Sequence, residues 1–126
     1  MKNKNDILVG TTGFSAREIY ALTESTTKDH SKTFYSVGAM GHASQISAEL
    51  AYFSKIKSRV FMVDGDGAAF MHLGSIPMIA KLKKINLIHI IINNQTHEST
   101  GNHNTSNLNF SFKKMFEISG YDKSYI

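Results

Sequence analysis

Cysteine is absent from the chain, and Pro77 is its single proline. With no cysteine there is no disulfide framework and no thiolate metal site. No apolar run approaches the roughly 20 residues that cross a bilayer, so a membrane span is not expected. The amino terminus, Met1 to Asn5, is polar and lacks the apolar core of a signal peptide. A cytoplasmic protein is the expectation.

Charge of one sign is also scarce. The net charge is +4, and the lysines fall in small groups: Lys55 and Lys57 with Arg59, then Lys81, Lys83 and Lys84, then Lys113 and Lys114. No aromatic residues interleave them as a base-stacking surface would need. The first two groups fall near expected helix C-termini, where positive charge complements the helix dipole. No nucleic-acid partner is expected. What remains, 126 residues at 41% hydrophobic composition, suits one domain with a real core.

The informative stretch runs from Val60 to Gly101. Val60 to Val63 and Leu87 to Ile92 are short, continuous and rich in β-branched residues. That pattern predicts strands covered on both faces, as in a parallel sheet. The interval between them holds one crossover helix, and a right-handed βαβ crossover returns the chain to the same sheet. The first run ends at Asp64-Gly65-Asp66-Gly67 and the second at Asn93-Asn94. Both polar clusters then share the edge where open α/β sheets bind ligands. Gly65 and Gly67 allow close backbone approach and present amides to an anion. The carboxylate of Asp66 and the amide oxygen of Asn94 are hard ligands of the kind Mg2+ prefers. Together these features point to a bound diphosphate and its counter-cation.

Around this stretch, Asp6 to Val9 predicts a first strand. Ser15 with Glu18 has the spacing of a capping box for a helix through about Leu22. Thr23 to Lys32 reads as loop, and Thr33 to Tyr35 as a weak second strand. A helix from about His42 to Lys55 would bury Ala43, Ile46, Leu50 and Phe53. The next helix, about Met71 to Lys83, contains Pro77, so it either starts late, near Gly74, or bends. Asn93 to Asn109 is a long polar loop. A last helix, about Ser111 to Ser119, carries Phe112, Met115 and Phe116 on one face with Gly120 as its cap. Tyr121 to Ile126 resembles the approach to another strand.

Several segments occur in an order that resembles the thiamine-diphosphate-dependent decarboxylases. They are Thr11-Thr12-Gly13, Ala16-Arg17-Glu18, Val37 to Ser44, Asp64 to Ala69, Met71-His72, Asn93-Asn94 and His97-Glu98-Ser99. The likeness is greatest to phosphonopyruvate decarboxylase and looser to the sulfopyruvate decarboxylase catalytic subunit. It implies a three-layer α/β fold with a mostly parallel sheet flanked by helices. This would be the diphosphate-binding domain, residues 1–126, without that domain's C-terminal end. By the resemblance, Asp66, Asn94 and the carbonyl of Thr96 hold Mg2+. The amides around Gly67 and Ala68, with Gly65, Thr11 and Thr12, meet the diphosphate of thiamine diphosphate. The carbonyl of Gly38 and the side chain of Met40 hold the aminopyrimidine and keep the cofactor bent. His97 and Ser99 are candidate substrate contacts.

The resemblance weakens after Ser99, where relatives carry a Gly-Gly-Gln-like stretch and this chain has Gly101-Asn102-His103-Asn104. The glutamate that activates the cofactor lies, in the family, on a separate pyrimidine-binding domain. None of Glu18, Glu24, Glu49, Glu98 or Glu117 is assigned that role. The resemblance therefore implies half of an active site, completed by another chain or a missing segment within a homo- or hetero-oligomer. Its substrate would be the 2-oxo acid 3-phosphonopyruvate, giving phosphonoacetaldehyde and carbon dioxide in phosphonate biosynthesis. Sulfopyruvate decarboxylation is the alternative, and a non-catalytic cofactor-binding or partner-stabilising module is another. His97, Glu98 and His103 lack the His-Glu-x-x-His spacing of a zinc site. His42, His72 and His89 read as packed or surface histidines, and His30 carries no signal.

Overall fold

The computed structural model describes residues 5–54, 58–82, 85–105 and 109–126. Four strands, β1 (Ile7–Gly10), β2 (Thr33–Tyr35), β3 (Val60–Gly65) and β4 (Leu87–Ile92), form one parallel sheet in the order β2-β1-β3-β4. Helix α1 (Phe14–Thr26) connects β1 to β2, and α2 (Ala43–Phe53) connects β2 to β3. Two short helices, α3 (Asp66–Met71) and α4 (Ser75–Ala80), connect β3 to β4. The chain adds strands outward in one direction, then crosses back over β1. That reversal makes the carboxyl ends of β1 and β3 a topological switch point.

The layers follow from residue size. Val9, Val60 and Met62 are fully buried on one face, under Ala43 and Ala51 of α2 with Leu50 and Leu87 beside them. The other face meets α1: a Cβ built on Gly10 would lie 3.0 Å from Cδ1 of Ile19. The expected α2 face is partly corrected. Ala43 is buried as expected, together with Ser44, Ser47, Ala48 and Ala51, whereas Phe53 is 71% exposed. Small side chains let the helix backbone settle close to the sheet, and the bulkier residues are pushed to its flanks.

One further expectation changes and another is resolved. The Ser15–Glu18 capping box does not form, because Gly13 is the N-cap of α1, no side chain caps it, and the helix runs on to Thr26. The proline ambiguity resolves in favour of a late start. The chain breaks between Met71 and Ser75, and Pro77 falls in the first turn of α4, where its missing N–H costs nothing. No strand forms at Tyr121 to Ile126. Of the basic groups, Arg59 pairs with the buried Asp6 at 2.6 Å instead of serving a helix end, and Lys81 caps α4. Lys55, Lys57, Lys83 and Lys84 lie outside the described residues.

Coverage of β4 is one-sided. His89 points under α5 (Phe112–Ser119), its ring 5.1 Å from that of Phe116. Ile88, Ile90 and Ile92 stay 38%, 43% and 48% exposed on the opposite face, where both faces were expected to be covered. Helix α5 begins at Ser111, whose side chain accepts from the Lys114 N–H, and ends at Gly120.

Phe116 also packs edge-on against Tyr121, with ring centroids 4.6 Å apart. Burial raises the Tyr121 phenol above its ordinary range, and its hydroxyl finds no hydrogen-bond partner among the described residues. An unsatisfied buried hydroxyl costs about 1–3 kcal/mol. Tyr121→Phe is therefore expected to leave stability unchanged or raise it by about 1 kcal/mol. A loss of stability in urea titration would show a partner for the hydroxyl.

Candidate functional site

The site forms on the edge where β1, β3 and β4 end. Thr11, just past β1, donates its N–H to the Val63 carbonyl at 2.9 Å, which ties the two strand ends together. Thr11 itself is buried, so Thr12 and Gly13 carry that loop to the surface. A cleft of ≈ 290 Å³ opens there. Thr12 and Gly13 line it from the β1 side, Gly38 and Met40 from the β2–α2 turn, and Gly67 and Ala68 from α3. Asn94, Thr96, His97 and Ser99 close it from the segment after β4. Ten of the residues singled out in the sequence thus meet in one hollow. Thr11, Gly65 and Asp66 lie outside its lining.

Asp66 sits just behind the cleft as the first residue of α3 and is 2% exposed. Its Oδ2 accepts from the Thr105 hydroxyl at 2.5 Å. None of the ion pairs among the described residues involves Asp66. With one hydroxyl as its partner, the carboxylate keeps lone pairs that a cation could take. Its donor chemistry is that of a hard divalent ion site. Asn94 stands at the end of β4. Its Oδ1 accepts from the Thr96 N–H at 3.1 Å and its Nδ2 donates to Glu98 at 3.3 Å. An amide oxygen has two lone pairs, so Oδ1 retains one for a cation. Both side chains thus offer the oxygen donors that a hard divalent ion takes.

The polar loop after β4 is more ordered than its composition implied. β5 (Thr96–His97) and β6 (His103–Asn104) pair antiparallel, with a 3-10 turn at Glu98–Thr100 between them. This ribbon folds back over α3. A Cβ on Gly67 would come within 2.4 Å of His97 Cε1, so only glycine admits the imidazole there. On the other side, Ser99 Oγ lies 3.0 Å from the place a Cβ on Gly13 would take. His97 therefore lies against α3, and Ser99 against the turn at the start of α1. Among the described residues, no group of three histidine, cysteine, aspartate or glutamate side chains could hold a metal.

Sequence reasoning missed two features. Thr105 carried no motif signal, yet it is the hydrogen-bond partner of Asp66. Asp64 and His89 form a buried pair, 3.5 Å apart, with side chains 2% and 3% exposed. Asp64 also accepts from the Gly65 N–H at 3.0 Å, which helps hold the turn leading into Asp66.

A family described as the thiamine pyrophosphate enzyme C-terminal TPP binding domain matches residues 9–123. The chain belongs to that family. Among its relatives, phosphonopyruvate decarboxylase of Streptomyces hygroscopicus is 41% identical over 98 residues, covering 78% of this chain and 23% of that protein. The same-named protein of Streptomyces viridochromogenes is 39% identical over 98 residues, with the same coverage. Sulfopyruvate decarboxylase subunit beta of Methanocaldococcus jannaschii is 36% identical over 102 residues, covering 81% of this chain and 50% of that subunit. The chain spans a quarter to a half of the length of these relatives. The parallel sheet flanked by helices is the α/β fold of this thiamine-diphosphate-binding domain. No helix among the described residues is long and apolar enough to cross a membrane.

Proposed function

We propose that this chain is the diphosphate- and Mg2+-binding part of a thiamine-diphosphate-dependent decarboxylase that converts 3-phosphonopyruvate to phosphonoacetaldehyde and carbon dioxide. The observation that supports it most is the buried carboxylate of Asp66 at the switch point, in no ion pair among the described residues and beside a cleft built from the motif residues. In this reading Asp66, the Asn94 amide oxygen and the Thr96 carbonyl hold Mg2+. The Gly67 and Ala68 amides, with Gly65, Thr11 and Thr12, receive the diphosphate. Gly38 accepts from the aminopyrimidine and Met40 wedges the bent cofactor. His97 and Ser99 reach the substrate at the cleft mouth.

When bound, thiamine diphosphate supplies the electron sink that lets a 2-oxo acid lose carbon dioxide. The chain's own work is to bind it, orient it and hold the ion that neutralises its diphosphate. The activating glutamate is assigned to a pyrimidine-binding domain, on another chain or another segment. The relatives named as a beta subunit favour a hetero-oligomer. A cytoplasmic location belongs to the same proposal. Sulfopyruvate is the second substrate reading, since relatives of that name match over a similar share of the chain.

Calorimetric titration tests the core of the proposal. The chain is expected to bind thiamine diphosphate with Mg2+ present and to lose binding in chelator. With a pyrimidine-binding domain supplied, carbon dioxide release should be faster from 3-phosphonopyruvate than from sulfopyruvate. A folded chain that binds no cofactor, even with that domain present, sinks the proposal; the reverse preference transfers it to sulfopyruvate.

A further inference from the structure

The residue that touches Asp66 comes from far along the chain. Thr105 follows β6, at the close of the ribbon, and its N–H donates to the Gln95 carbonyl at 3.1 Å. Its hydroxyl donates to Oδ2 of Asp66 at 2.5 Å, across 39 residues of sequence. Its methyl group lies toward α3, with Cγ2 3.1 Å from the place a Cβ on Gly67 would occupy. One side chain thus holds the acidic residue by its oxygen and packs against the next glycine by its carbon.

A carboxylate has two oxygens, and the bond to Thr105 uses one. We infer that Thr105 is a positioning residue: its hydroxyl fixes the rotamer of Asp66 through Oδ2, so that Oδ1 is left as the oxygen for the metal ion. The inference rests on Asp66 being the metal ligand. Partners of this kind orient a ligating carboxylate in advance, and losing one costs about 10–100-fold in metal affinity. The same bond anchors the ribbon that carries Asn94 and Thr96 at its start. The ligand set is therefore held together at both ends by one hydrogen bond from Thr105 and the Thr96 N–H bond to Asn94. The opposite role, a hydroxyl that competes with the metal for Asp66, predicts the opposite sign on removal.

The test uses Mn2+ as probe, titrated into the full chain with thiamine diphosphate, with free Mn2+ read by its paramagnetic resonance signal. Thr105→Val keeps the shape and the methyl contact and removes only the hydroxyl; Thr105→Ser keeps the hydroxyl. Thr105→Val is expected to weaken Mn2+ binding about 10-fold or more, and Thr105→Ser to stay within about threefold of the wild type. Thermal midpoints without metal serve as the control, and the loss must appear without a matching fall in midpoint. Asp66→Asn runs alongside. If the wild type binds no Mn2+, or Asp66→Asn binds as the wild type does, the assignment of Asp66 falls and this inference with it. If Asp66→Asn loses binding while Thr105→Val binds as well as the wild type or better, only the role of Thr105 is overturned.

Discussion

Asp66→Ala is expected to abolish Mg2+-dependent binding of thiamine diphosphate and to leave the unliganded chain as stable as the wild type or more so. The two halves of that result have one cause. Asp66 is a carboxylate held at 2% exposure with a neutral hydroxyl as its hydrogen-bond partner. Its side chain makes one hydrogen bond and no ion pair among the described residues, so alanine removes little that holds the unliganded fold. The liganded state separates the two proteins. A ligand at a hundred times its dissociation constant stabilises the folded state by about 2.7 kcal/mol. The wild type should therefore gain several degrees of melting temperature with cofactor and Mg2+, and the variant none. Thermal melts of both proteins, with and without the pair of ligands, give all four values. A variant that still gains the full increment would remove Asp66 from the site, whereas an unliganded variant that melts far below the wild type would make the residue structural.

Gly41→Ala is expected to be the most damaging single methyl in the chain. Gly41 has φ +85°, where a side chain costs about 1–2 kcal/mol. The added carbon would also lie 2.3 Å from Nδ1 of His72 and 3.1 Å from both the Ala68 carbonyl and Met71 Cβ. His72 has little room to yield, because the His42 ring sits against it with centroids 4.5 Å apart. Overpacking of this kind costs about 1–3 kcal/mol more. The two penalties together reach about 2–5 kcal/mol, a large part of the 5–15 kcal/mol that folds a typical domain. Gly38→Ala provides the comparison. It has φ +76° and no atom within 4 Å of the new carbon, so it pays only the backbone strain. Urea midpoints for the two variants should separate clearly; equal losses would mean that His72 moves aside freely.

Much of the architecture could be read from the chain because it depends on local pattern. The continuous apolar runs at Val60 and Leu87 became central and edge strands of a parallel sheet, and Pro77 marked the start of a new helix. The glycines at Gly65 and Gly67 and the pair Asn93-Asn94 fell at neighbouring strand ends, as Gly65 pairs in register with Ile92. Features that depend on distant contacts were not legible. Thr105 is one threonine in a polar stretch, and only the folded ribbon brings it to Asp66. Ser15 and Glu18 had the spacing of a cap, but the turn at Gly13 starts the helix before either can serve. The one-sided exposure of Ile88, Ile90 and Ile92 likewise depends on what other elements cover, which an apolar run cannot state.

The folded-back ribbon also has a kinetic meaning. Closing the contact from Asp66 to Thr105 in an unfolded chain would mean ordering 39 residues at once. Once β3 and β4 are paired, the remaining loop from Ile92 is only about a dozen residues, and loops of that size close in roughly 10–100 ns. The ribbon can therefore close as a late, local step on a sheet that is already formed. Asp66 is then covered by a local equilibrium, and the ribbon's amide protons should exchange with solvent well ahead of those in β1 and β3.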